Sequence, residues 1–189
     1  MRLKTIEVYD YNDVINNETL KTKVLENLHD INVNYDWWTW IVDDWKERLE
    51  RLGFENSEIE FDLYSQRAHA CFHSNWLDIN KLIANSKLTE KEKKIMTWLI
   101  DHNYLEGYKI PNDPYSHLVE YENWIDSKYQ LINNIVIKFE NEIENLYYEL
   151  CDQIYNDLRR EFEYLTSEEG ILETIQANEY KFDENGEIA

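Results

Sequence analysis

Residues 127–165 read SKYQLINNIVIKFENEIENLYYELCDQIYNDLRREFEYL, with apolar residues at 132, 135, 136, 139, 143, 146, 147, 150, 154, 158, 162 and 165. Steps of three and four sustained over that length follow one face of an α-helix. The spacing predicts a single long C-terminal helix. At 1.5 Å of rise per residue it runs about 57 Å, longer than a domain of this size is wide. Such a helix must overhang, pair with another helix, or kink where Asn133-Asn134 and Asn141 weaken it.

Upstream, the apolar period falls to two. Glu58-Ile59-Glu60-Phe61-Asp62-Leu63 alternates, as does Ala68-His69-Ala70-Cys71-Phe72, which predicts two paired strands joined near Ser65-Gln66. Residues 2–9 predict a further strand with Leu3, Ile6 and Val8 as its apolar positions, followed by a turn over Asp10–Asp13. Helices are expected over 17–31, 76–84 and 88–102, and from a cap at Asp36 to Gly53. Gly107, Pro111 and Pro114 interrupt the pattern before a predicted strand over 116–124. Ser167-Glu168-Glu169 opens a short helix, and residues 179–183 suit an edge strand. The fold class is therefore α+β: a small antiparallel sheet packed by helices, with one long C-terminal helix. Residues 1–126 are expected to form the α+β core, and 127–189 to pack on it within a single domain.

The chain has seven Trp, fourteen Tyr and six Phe against four Gly and two Pro, which is the composition of a folding chain rather than an acidic tail. Its net charge of −20 therefore lies on a folded surface. That sign repels phosphate backbones and anionic membranes and attracts basic surfaces, of which nucleic-acid grooves on other proteins are the commonest. The acids are unevenly placed: residues 31–64 hold nine against three bases, and 166–189 hold seven against one. No stretch has the length of a membrane span, and the first residues lack the apolar run of a signal peptide. Cys71 and Cys151 form no spaced pair, so reduced thiols in a cytoplasmic protein are expected.

His69, Cys71 and His73 alternate on one predicted strand and so share a face, an arrangement that could chelate zinc. Three successive same-face residues rarely reach one ion together, no fourth ligand is signalled, and cysteine is commonly buried for packing alone. No metal or cofactor is therefore assigned. The same parallel geometry makes Cys71 a poor nucleophile for either histidine to activate. Acid pairs such as Asp43-Asp44 diverge on a helix, and no phosphate loop, HExxH or GxSxG motif is present. The chain is read as a non-enzyme. The cluster Trp37, Trp38, Trp40 and Trp45 divides at helical spacing into a core part, with Trp38 or Trp40 left over for the surface.

Asp36-Trp37-Trp38, Leu52-Gly53-Phe54, Ile59-Glu60-Phe61, Ser65-Gln66 with Ala70-Cys71-Phe72, Glu163-Tyr164-Leu165-Thr166-Ser167-Glu168-Glu169 and Ala177-Asn178-Glu179-Tyr180-Lys181-Phe182 together resemble a widespread family of uncharacterised tailed-phage proteins. Arg67-Ala68-His69 stands where that family typically has a Gly-Asp-Gly turn. The resemblance implies a phage or prophage origin, an intracellular site of action and, for a small acidic protein of this kind, inhibition of a host defence nuclease of anti-CRISPR or anti-restriction type. The expected partner face comprises Asp43, Asp44, Glu47, Glu50, Glu140, Glu144 and Glu149, set against a basic nucleic-acid channel. Two alternatives remain: a ligand- or metal-sequestering protein, and an antitoxin-like accessory protein that forms a homodimer through the long helix.

Overall fold

The computed structural model describes residues 7–102 and 130–189. Among them are seven helices and one two-stranded antiparallel sheet, so the α+β class is borne out. The expected strand over 116–124 and the loop before it lie outside the described residues, as does most of the expected strand over 2–9. By contacts, the chain groups as residues 1–39 with 158–189, and separately as 40–157.

In the first unit, the expected Asp10–Asp13 turn is a helix start. The Asp10 carboxylate accepts hydrogen bonds from the backbone N–H of Asn12 and Asp13, and the Asp13 carboxylate accepts one from the Asp10 N–H, a reciprocal capping box that opens α1 (Tyr11–Asn16). Asn17 then ends α1 and, by accepting from Leu20 N, caps α2 (Glu18–Asn27). The helix expected over 17–31 thus ends at Asn27 and passes into turns. Ser167 caps α7 (Glu168–Ala177) through Gly170 N. Val14, Leu20, Val24, Ile171, Ile175 and Phe182 form the core of this unit. The expected edge strand is reduced to backbone bridges at Phe182, one to Tyr9 and one to Ile188. Buried Asn32 ties the unit together: its amide donates to the carbonyls of Leu165 and Gly170, and its oxygen accepts from Thr174.

The second unit holds nearly all of α3 (Thr39–Leu52). The helix starts at Thr39, whose N–H and hydroxyl both donate to the carbonyl of Asp36, three residues before it. Ile41, Trp45 and Leu49 form its buried face. Gly53 then reverses the chain at φ 112°, where a Cβ would meet the Asp78 carbonyl at 2.8 Å, so this position needs glycine. The strands β1 (Phe54–Asp62) and β2 (His69–Leu77) pair antiparallel, Phe54 opposite Leu77 and Asp62 opposite His69. Both are longer than the alternating segments that predicted them. Trp76, expected in a helix, lies in β2; its run ends where Asp78 caps α4 (Ile79–Asn85). Thr89 and Glu92 form a capping box on α5 (Glu90–Asp101).

The long helix α6 (Gln130–Leu165) is continuous over 36 residues. Its predicted stripe is buried at Ile135, Val136, Phe139, Ile143, Tyr147, Leu150 and Ile154. Tyr147 fixes it to the sheet: its ring packs on Phe72, and its hydroxyl donates to the Phe72 carbonyl at 3.3 Å.

Candidate functional site

On α3 the buried residues recur every four positions, which leaves the opposite face to solvent. Asp43, Glu47 and Glu50 lie on that face at helical spacing, one row about 10 Å long. Asp44 flanks it. All four carboxylates are exposed, and among the described residues no salt bridge engages them. Trp40, at the head of the row, is 62% exposed, whereas Trp37 and Trp45 are buried. Trp45 is held by its ring N–H on Asp157 and by Arg48 stacked over its face. The expected division of the tryptophans into core and surface is thus observed, with Trp40 as the surface member.

The expected acids of α6 do not form a single face. Glu149 lies five positions beyond Glu144, about 140° around the helix axis. Glu144 and Glu149 are exposed, but Glu140 borders the buried stripe between Val136 and Ile143 and is half-buried. Its Oε1 has no hydrogen-bond partner, and desolvation lifts its pKa to about 7. At neutral pH Glu140 is no dependable anion. Glu149 instead lines a cleft of about 360 Å³ between α6 and the end of α4, with Glu142, Tyr148, Asp152 and Lys87. Glu142 closes its edge by accepting from Lys87 N at 2.8 Å.

Many carboxylates near the C-terminus are occupied within their own unit. Glu168 pairs with Lys21, Glu163 with Arg159, and Glu173 accepts from the Tyr164 hydroxyl. Asp183 organises the last turn by accepting from Asn185 N and Glu187 N, which holds its pKa low. Glu169, Glu179, Glu184 and Glu187 stay exposed without a salt bridge among the described residues, but the α3 row alone sets its free carboxylates along one helix face with an exposed tryptophan at its head.

On the hairpin, His69 stands apart from Cys71 and His73. His69 is exposed, its Nδ1 2.8 Å from the Arg67 carbonyl. Cys71 and His73 are joined instead by Glu60 from β1, and one ligand atom from each lies within 4.8 Å of the others. Ala70, Cys71 and Phe72 are all buried, so β2 is covered on both faces here, which strict alternation does not anticipate. Burial raises the Cys71 thiol pKa, with the Glu60 charge adding to it, and pushes that of Cys151 to about 11. Cross-strand register, which places Glu60 opposite Cys71, was the signal that could have found the third member.

No helix among the described residues is long and apolar enough to cross a membrane. A family model described as a domain of unknown function (DUF8835) matches residues 37–168. That span takes in the α3 row, the hairpin and the cleft, and leaves out α1 and α2. No curated protein and no solved structure matches the chain.

Proposed function

We propose, for a chain that belongs to the DUF8835 family, a role as a binding protein that sets an acidic helix face against the basic nucleic-acid groove of another protein. The observation behind this is the outer face of α3, where Asp43, Glu47 and Glu50 stand in a row unengaged by salt bridges with exposed Trp40 at its head. Carboxylates about 5 Å apart along an axis present lysines and arginines with a regular row of negative charge, as a phosphate strand does at about 3.4 Å. Tryptophan supplies what charge alone does not: a large apolar anchor whose face also attracts guanidinium and ammonium groups. The net charge of −20 steers the encounter over the whole surface. In its finer form the partner is a host defence nuclease of the Cas9 or restriction type, for which the likeness to tailed-phage proteins is the support.

The test immobilises the full chain, loads host lysate containing defence effectors, and elutes with duplex DNA. The expected eluate consists of nucleic-acid-binding proteins, whose affinity falls tenfold or more between about 50 mM and about 500 mM salt. Asp43→Asn, Glu47→Gln and Glu50→Gln combined should slow association, and Trp40→Ala should speed dissociation. Retention indifferent to both DNA and salt would overturn the groove-binding role.

A further inference from the structure

The hairpin holds a second constellation that the acidic face does not use. Glu60 stands opposite Cys71 in the β1–β2 register, and His73 follows two residues along β2 on the same face. Glu60 Oε1 is 3.5 Å from His73 Nε2. The other ring nitrogen, Nδ1, is buried without a hydrogen-bond partner, so Nε2 is the ring nitrogen that faces the Glu60 carboxylate. The Cys71 thiol beside it is free and buried.

We propose that Glu60, Cys71 and His73 form a binding site for a zinc-class divalent ion. Thiolate, imidazole and carboxylate together suit zinc, whereas magnesium and calcium select oxygen ligands alone. A tetrahedral zinc with bonds of about 2.0–2.3 Å sets its ligand atoms about 3.3–3.6 Å apart. The Glu60–His73 pair is already at 3.5 Å, and the trio as a whole lies within 4.8 Å, so closure needs a contraction of about 1 Å. Cys71 and His73 are held by the ladder. The Glu60 side chain, 72% exposed, opens the route of entry. Three protein ligands among the described residues are the count of an open site, with water in the fourth position. On loading, the Cys71 S–H bond breaks, its proton passes to solvent, and the thiolate sulfur bonds the ion.

Cobalt titration of the full-length protein, followed by zinc competition, tests this. One cobalt per chain is expected, with thiolate-to-cobalt charge transfer in the near ultraviolet and tetrahedral bands in the visible, all abolished by zinc. Cys71→Ser should remove the charge-transfer band, while His69→Ala and Cys151→Ser retain it. Glu60→Gln, at an exposed position that leaves the fold intact, should weaken binding by more than about tenfold, since a direct ligand matters at least as much as the groups that orient it. The site is overturned if folded wild-type protein shows no thiolate band at micromolar cobalt, or if the band survives Cys71→Ser. It is equally overturned if affinity is unchanged by Glu60→Gln, or if His69→Ala lowers it as much as His73→Ala.

Discussion

Glu140 shows how one position on a helix separates a surface acid from a strained one. It lies one turn beyond Val136 and one turn before Ile143, both buried, so its carboxyl is drawn toward the apolar stripe. Below pH 4.5 the group is protonated in folded and unfolded chains alike and has no effect on stability. As the pH rises toward about 7, the unfolded chain ionises first and stability falls, and above that the full penalty applies. Glu140→Gln is therefore expected to stabilise the protein at pH 8 by about 1 kcal/mol, allowing for solvent screening, and to be neutral at pH 4. Thermal melts at the two pH values decide the matter; an equal effect at both would show that packing, not ionisation, sets the cost. Asn32 was invisible in the sequence for a related reason. Nothing in its neighbours signals that Leu165, Gly170 and Thr174 will converge on one amide from the far end of the chain.

Among the elements, the hairpin departs most from its sequence pattern. Alternation located its middle, but its ends were set by Gly53, which turns the chain, and by Asp78 N, which donates to the Gly53 carbonyl at 2.8 Å. Inside β1, Asn56 adopts φ 51°, a left-handed conformation that asparagine tolerates and β-branched residues do not. Asn56→Val is expected to cost about 1–2 kcal/mol in spite of its higher strand propensity, and Asn56→Gly to be neutral or stabilising. Urea unfolding of the two variants tests this, and a more stable valine variant would refute it. The capping residues worked the other way: Thr89 with Glu92 and Ser167 with Gly170 are local in sequence, and both helices begin where they indicate. Glu92 does double duty. The Thr89 N–H and the Lys138 ammonium hold its pKa down at about 2, so this capping contribution is present at neutral pH and is lost only as pH falls through that value.

For the molecule as a whole, the stripe on α6 bears on self-association. Periodicity alone is equally suited to a coiled-coil partner and to the chain's own sheet and helices. Here the stripe is buried within the chain, and the exposed apolar residues that remain on α6, Leu131, Ile137, Tyr148 and Tyr164, do not form a continuous seam, since Asn141 and Glu144 stand between Ile137 and Tyr148. With a net charge of −20 also opposing self-association, light scattering at micromolar concentration is expected to give a monomer. A dimer stable at that concentration would point back to α6 as an interface.

The sequence by itself determined the α+β class, the long helix, the hairpin's centre, the starts of α2, α5 and α7, and the acid-rich stretch at 43–50. Each of these rests on residues within a turn or two of one another, where period, capping and charge act locally. Only the tertiary structure decided the rest. It occupied many of the C-terminal acids through Lys21, Arg159, Tyr164 and the last turn, and drew Glu140 toward the core. It also replaced His69 with Glu60 beside Cys71 and His73. For Lys21 on Glu168, Tyr164 on Glu173 and Glu60 beside Cys71 the deciding partner is on another element or strand, and which side chain arrives there depends on how the elements pack.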